Sequence, residues 1–373
     1  MQCSPLSLVQ QRIQLGAPLP FNIRDHDQTL LLARGQRVQD AGQFQALLER
    51  GALVDIDELL SPTERIARAG AAELPGLWTD CLGRVNETLR HAHDEGFREA
   101  LDSASAPVLA LVVRDPDLAI FQVLRQPGNA HLDYGLNHST HAAITAWLVA
   151  QRLGWSADEA QRAFKAALSM NISMLELQGQ LALQTTPLTD DQRAAIHAHP
   201  QCSRRMLEAA GVADGDWLDA VGQHHEAPDG SGYPAGRHGS SELAALVRRA
   251  DIYTAKLSPR NSREAMAADQ AGRTMFMQDP GHPMSAALAK EFGVYPPGCF
   301  VKLASGETGV VVKRGLNVTA PWVAVLTTAN GVALKEPLPR DTSKREYAVA
   351  AVLHEKSVSV RISPEKLMQM AFA

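Results

Sequence analysis

Apolar residues recur at three- and four-residue spacing from about residue 75 to 295, and beyond that the period changes to two. This switch constrains the fold more than any other feature. A 3.6-residue period belongs to helices with one buried face, and a period of two belongs to half-buried strands. Residues 136–153, 157–169, 190–210 and 216–224 are therefore predicted helices, joined by short connectors rich in Gly, Pro or Asp. Asp190-Asp191 suits a helix start, and Pro200 marks a kink or a boundary. After Pro296-Pro297-Gly298, the segments 300–303, 309–312, 322–326 and 332–334 read as strands, separated by the turn signals Ser305-Gly306 and Asn330-Gly331. This tail is predicted to be a small barrel-like β-unit for docking or packing.

The N-terminal region is mixed. Pro18-Leu19-Pro20-Phe21 opens an extended stretch, and 29–33 reads as a strand entering the turn at Arg34-Gly35. A helix over 41–50 presents Phe44, Leu47 and Leu48 on one face and stops at Gly51. Ser61-Pro62-Thr63-Glu64 has the order of a capping box, with proline in the first turn. The expected architecture is mainly α. A small α/β unit (1–60) is followed by a helical connector (61–104), an all-helical central domain (105–298) and a β-rich C-terminal unit (299–373).

The composition, 45% hydrophobic and 21% charged, is that of an ordinary globular protein. A net charge of −5 argues against duplex nucleic acid as a partner, although a small anion needs only a local basic pocket. Cys3, Cys81, Cys202 and Cys299 are scattered and form no CxxC pair, which favours a reducing compartment; Cys202 is expected to be buried and inert. No run approaches the roughly 18 apolar residues of a membrane helix, and no signal core opens the chain. The expectation is a cytoplasmic protein without a membrane partner.

The chemistry points to His224-His225-Glu226, followed by Asp229-Gly230-Ser231-Gly232-Tyr233-Pro234. Adjacent histidines and an acid are candidate ligands for a divalent metal. The glycines allow positive φ and the proline fixes the exit, so the loop can bring backbone and the Tyr233 hydroxyl close to a phosphate.

In ordered sequence the helical region resembles the HD-GYP family, a branch of the HD-domain phosphohydrolases, over about 190 residues. Asn137-His138-Ser139 matches its first ligand histidine, and His199-Pro200 its helical His-Pro. His224-His225-Glu226 with the Gly-Tyr-Pro loop matches the signature, and Arg249-Ala250-Asp251-Ile252-Tyr253 matches the segment of the last ligand aspartate. Arg260 and Arg263 fall on basic positions that contact substrate phosphate, and Tyr295-Pro296-Pro297-Gly298 opens a tail like that of many members. The resemblance implies an HD-type helical domain that hydrolyses cyclic di-GMP with two or three metal ions. These activate water and neutralise phosphate oxygens. It implies His138, His199, His224, His225 and Asp251 as metal ligands and Tyr233, Arg260 and Arg263 as substrate contacts. Asp251 would also serve as orienter or base. Contacts with diguanylate-cyclase domains would fall to the loop 229–234.

The chain departs from that pattern where the family has its defining His-Asp pair and a following lysine. Here these positions are Met170, Asn171 and Met174. A thioether is a poor ligand for Fe(II) or Mn(II), and a neutral amide cannot supply the charge that bridges two cations. Tyr134 and Thr254 likewise stand where some members carry acidic residues. The expectation is no dinuclear centre, and one divalent metal (Fe, Mn or Zn) held at reduced occupancy by His199, His224 and His225. Function is then read as binding of cyclic di-GMP, a related nucleotide or a signalling protein without efficient hydrolysis. An active phosphodiesterase using the remaining ligands is the alternative, and a scaffold that binds neither metal nor nucleotide is a third. By residue type alone, His199, His224 and His225 also suit helix ends, the Gly-Tyr-Pro loop a structural turn, and Arg260 and Arg263 a solvated surface. His141 and His197 read as packing or surface residues, and Met170 and Met174 as core filler.

Overall fold

The computed structural model describes residues 3–125, 133–358 and 360; parts of the expected N-terminal, central and C-terminal regions lie outside these. Contacts divide the chain into two compact units, the first ending at Ala69 and the second beginning at Gly70. In the first, β1 (Cys3–Pro5), β2 (Ile23–Arg24), β3 (Leu30–Leu32) and β4 (Leu53–Asp55) form an antiparallel sheet in the order β1-β4-β2-β3. Helix α1 (Ala41–Glu49) starts where the Asp40 carboxylate accepts from the Gln43 amide. Its Leu47 joins Leu6, Phe21, Ile23, Val38 and Val54 in a common core. Helix α2 (Ile56–Leu59) follows, and α3 (Pro62–Arg68) opens with the complete capping box of Ser61 and Glu64.

The second unit is mainly helical. Its helices are α4 (Leu74–Arg90), α5 (Phe97–Arg114), α6 (Pro116–Leu124), α7 (Tyr134–Leu153), α8 (Ala157–Ser169), α9 (Leu175–Leu183), α10 (Asp190–Ala209), α11 (Gly215–Gln223), α12 (Glu242–Leu257), α13 (Ala268–Gln278) and α14 (Pro283–Phe292). The predicted helix starts and ends are found within a few residues, because the caps are explicit in the sequence. Ser156 with Glu159 and Thr189 with Gln192 form capping boxes, and Gly154 ends α7 in the left-handed conformation. Pro200 lies inside α10, which continues to Ala209.

Helix α7 is the hub. It is buried along most of its length and packs against α4, α6, α8, α9, α12 and α14. A helix surrounded in this way has no solvent face, which explains why its polar residues His138, Ser139, Thr140, His141 and Thr145 are all buried. Its close approach to α9 depends on Gly135, where a Cβ would lie 2.6 Å from the Leu175 carbonyl oxygen and 3.0 Å from its Cα.

The C-terminal strands are β5 (Phe300–Leu303), β6 (Thr308–Lys313), β7 (Trp322–Thr327), β8 (Ala333–Asp341) and β9 (Val349–Leu353), antiparallel in the order β8-β7-β6-β5-β9. The predicted barrel-like closure is absent among the described residues, since β8 and β9 are the two free edges. Strand β8 runs well past the predicted 332–334. Its Pro337 and Pro339 discourage a strand reading in sequence, yet are tolerated at a sheet edge. One face of the sheet buries Cys299, Val301, Leu303, Val311, Val323 and Val325. Arg314 anchors it to the helices, with its amide 3.0 Å from Asp117 Oδ2 and its guanidinium donating to Asp117 and to the carbonyl and side chain of Glu291.

Gly135→Ala is expected to lower the unfolding free energy by about 1–3 kcal/mol, because α9 must move to admit a methyl group. Thermal or denaturant unfolding of the variant measures the loss.

Candidate metal and nucleotide site

Five of the side chains singled out in the sequence converge from four helices of the second unit. His138 comes from the second turn of α7, His199 from α10, His224 and His225 from the end of α11, and Asp251 from α12. Two sub-sites result, and they differ in chemistry.

The first is the histidine cluster. His199, His224 and His225 each bring a ring nitrogen within 4.8 Å of the others. His199 Nδ1 lies 2.6 Å from the carbonyl of Ile196, and His224 Nδ1 lies 2.6 Å from that of Val221. A carbonyl only accepts, so both Nδ1 atoms carry the proton and both Nε2 atoms present lone pairs. Those two Nε2 atoms stand 3.1 Å apart. Burial drives the His199 pKa down to about 3, with the neighbouring His224 adding to the effect, and burial lowers those of His224 and His225 as well. Neutral imidazoles with converging lone pairs repel unless a cation lies between them. The donor set therefore fits a divalent metal, and three imidazoles are a known zinc arrangement.

The second sub-site is a closed pair. His138 Nε2 is 2.7 Å from Asp251 Oδ1, while Thr254 Oγ1, which donates to Ala250, lies 3.5 Å from His138 Nδ1. Burial would raise the Asp251 carboxyl, but the hydrogen bond from His138 holds it below the usual carboxylate range. Tyr134, one turn before His138, stacks on it with ring centroids 5.8 Å apart. Arg260 donates from Nε and Nη2 to the Tyr134 hydroxyl at 3.0 and 2.8 Å. Arg263 is exposed and its guanidinium turns back to the carbonyl of Ala255, so of the two arginines only Arg260 reaches toward the site.

The turn that joins α8 to α9 carries Met170, Asn171 and Met174 and reaches α10 at His199. Met170 is fully buried, whereas Met174 is only half-buried. Ser173 Oγ donates to the His199 carbonyl at 3.0 Å, which fixes the turn against α10. Asn171 is buried and its Oδ1 has no hydrogen-bond donor, leaving one amide oxygen where a cation or water would be accepted.

The loop after the histidines is built by residues that the sequence reading weighed differently. Glu226, read there beside the histidine pair as a candidate ligand, is buried and accepts from the amides of Ala235 at 2.8 Å and Arg237 at 2.9 Å. Its two oxygens hold the loop. Gly232 has no room for a side chain, since a Cβ would stand 2.3 Å from the Ala227 nitrogen and 2.4 Å from the His225 oxygen. Tyr233 is wedged between the rings of His225 and His197, at 4.5 and 4.7 Å. Burial pushes its phenol up. Sequence spacing gave no signal for His197, since the contact depends on how the loop folds back over α10. His141 is buried and half of the earlier reading, packing, applies to it. Cys202 is half-buried rather than buried, with Arg205 Nη2 3.1 Å from its sulfur.

The family match spans the residues that build the site. The HD domain family matches residues 129–279. The cyclic di-GMP phosphodiesterase PA4108 of Pseudomonas aeruginosa is 29% identical over 317 residues, covering 77% of this chain and 75% of that protein. The cyclic di-GMP phosphodiesterase response regulator RpfG of Xanthomonas campestris is 31% identical over 137 residues, 36% of each chain. The 3'3'-cGAMP-specific phosphodiesterase 3 of Vibrio cholerae is 28% identical over 145 residues, 38% of this chain and 31% of that protein. Among solved structures, Bd1817, an HDG"Y"P protein from Bdellovibrio bacteriovorus, aligns with a TM-score of 0.49 at 16% identity, covering 78% of this chain and 98% of that chain. Among the described residues no helix is long and apolar enough to cross a membrane.

The buried neutral histidines predict an acid-sensitive fold. His141 and His199 bind a proton near pH 6.5 when unfolded and resist it to about 3 when folded. Between those values the unfolded chain holds more protons, so stability falls as pH drops from about 6.5 toward 3 and is fully present above that window. His141→Asn should flatten this dependence in metal-free protein, measured as the melting temperature across that range.

Proposed function

We propose that this chain, which belongs to the HD-GYP domain family, binds cyclic di-GMP or a related cyclic dinucleotide beside a single metal ion and is impaired in its hydrolysis. The observation that carries the reading is the asymmetry of the site. The three imidazoles around His199 are prepared for a cation, whereas His138 and Asp251 are paired with each other and Met170, where the family has a ligand histidine, is a buried thioether. A second cation at His138 and Asp251 would have to break their hydrogen bond, with no second carboxylate to compensate.

Bound at His199, His224 and His225, a divalent ion would supply a positive charge for a phosphate oxygen and lower the pKa of water. The chain's own residues supply the rest. Val221 and Ile196 carbonyls orient the imidazoles, and Tyr233 excludes water from one flank of His225. Arg260, held by Tyr134, adds a cation on the His138 side. Without the family's second metal and lysine, little remains to stabilise the charge that builds up as the phosphodiester breaks. Docking of a diguanylate-cyclase-type partner on the loop is left to the exposed Asp229 and Ser231, because Tyr233 is engaged.

A second reading, slow metal-dependent phosphodiesterase activity, is favoured by the same lone-pair geometry, with Asp251 as the orienting base.

Anaerobically purified protein supplied with Mn(II) or Fe(II) should hold about one metal per chain, lost in His224→Ala. It should bind cyclic di-GMP and release no linear dinucleotide or GMP. Two metals per chain would defeat the single-ion reading, and product formed by the parent but not by His224→Ala would establish the phosphodiesterase. Replacing Met170→His together with Asn171→Asp should raise the metal content toward two per chain; no increase would mean that the helices have closed around Met170.

A further inference from the structure

Three rings stack in series beside the metal-binding histidines. His225 and Tyr233 lie 4.5 Å apart with planes 21° from parallel, and Tyr233 and His197 lie 4.7 Å apart at 27°. The first ring belongs to the donor cluster and is half-buried, while the last is exposed. The stack thus leads from the cluster to the surface.

His197 has no other engagement. Among the described residues its ring makes no hydrogen bond and no ion pair, and the contact with Tyr233 is the one interaction it shows. One face is covered by the phenol, and the residue as a whole is exposed. Its neighbour in the stack is itself held. Tyr233 donates its amide to the His225 carbonyl at 3.2 Å, and the loop carrying it is fixed by Glu226 and by the closeness of Gly232 to the backbone of 225–227. An exposed flat ring on a rigid support is preorganised, so little conformational entropy is lost when a second flat group settles on it.

A nucleobase is the flat group that this position suits. Every base has a π-face, and stacking on an aromatic side chain does not depend on base identity. A cyclic dinucleotide with a phosphate at the histidine cluster carries a base to each side of that phosphate, and the stack offers the end ring two ring spacings from the cluster. We propose that His197 is the stacking platform for one nucleobase of the bound dinucleotide. This rests on the nucleotide-binding reading given above.

The test is calorimetric titration of the full chain, supplied with Mn(II), with cyclic di-GMP. His197→Ala should weaken binding about tenfold, and His197→Phe, which keeps a ring, should stay within about twofold of the parent. A cyclic dinucleotide carrying 2-aminopurine should lose fluorescence on binding the parent and the Phe variant, and lose far less on binding the Ala variant. Metal content and melting temperature should be unchanged in both. Parental affinity in His197→Ala overturns the platform and leaves nucleotide binding standing, as does a Phe variant as weak as the Ala variant. A fall in metal content that tracks the loss of affinity makes His197 a support for Tyr233 and also overturns it. A parent that binds no nucleotide removes the nucleotide reading and the platform together.

Discussion

The site depends on two hydrogen bonds that never touch a ligand. His199 and His224 each give their Nδ1 proton to a carbonyl three residues earlier in their own helices, Ile196 and Val221. That choice fixes the tautomer and turns both Nε2 lone pairs inward to a separation of 3.1 Å. In water such a pair would be relieved by protonation. Here burial opposes the charge, so the relief must come from a cation or from an intervening proton that the environment disfavours. The helices α10 and α11 pack together, and the buried His199 and His224 rings are tethered by their Nδ1 hydrogen bonds. The capacity of the cluster to hold a metal would in this sense be a property of the packing.

The other half of the site is built differently. His138 and Asp251 satisfy each other, and Thr254 and Tyr134 border the histidine. Met170 is fully buried in the α8–α9 turn, where a thioether costs nothing to desolvate. Asn171 keeps one unfilled acceptor. Arg260 binds a phenol rather than a carboxylate, through two donors to one oxygen and a guanidinium 4.9 Å from the ring centre. Each of these side chains is locally satisfied except the Asn171 oxygen, and the His138 side presents fewer free donor atoms than the His199 side.

Much of this was legible in the sequence because the relevant signals are local. The helix limits follow from caps such as Ser156 with Glu159 and Thr189 with Gln192, and the change of period after Pro296 announces the sheet. The histidine cluster was legible because ligand types recur in a fixed order along helices that pack together. What could not be read required knowledge of the loop path. The carboxylate of Glu226 sits next to two metal-type histidines in sequence, and only the fold shows that it faces Ala235 and Arg237 instead. His197 looks like a surface residue because it is one, and its partner lies on a distant loop. The extent of β8 was hidden by its prolines, and the open edges of the sheet by the absence of any sequence rule for closure.

The Gly-Tyr-Pro loop gives the last step, because it separates the persistence of a motif from the persistence of a reaction. Nearly every residue in it is required by the fold. Gly232 is pressed against the backbone of 225–227, Gly230 has φ of +76° and lies under the His238 ring, Glu226 closes the far end, and Tyr233 fills the gap between two imidazoles. Gly232 and Tyr233 lie directly against His225, so the loop is bound up with the cluster whether or not a phosphodiester is ever broken. Met170 and Asn171 answer a different demand, since a buried turn without a cation beside it favours an apolar or an amide side chain over a charged pair. The signature loop is therefore compatible with Met170 and Asn171 in the turn. The loop reports on the architecture around the three imidazoles, and the dyad positions report on the chemistry.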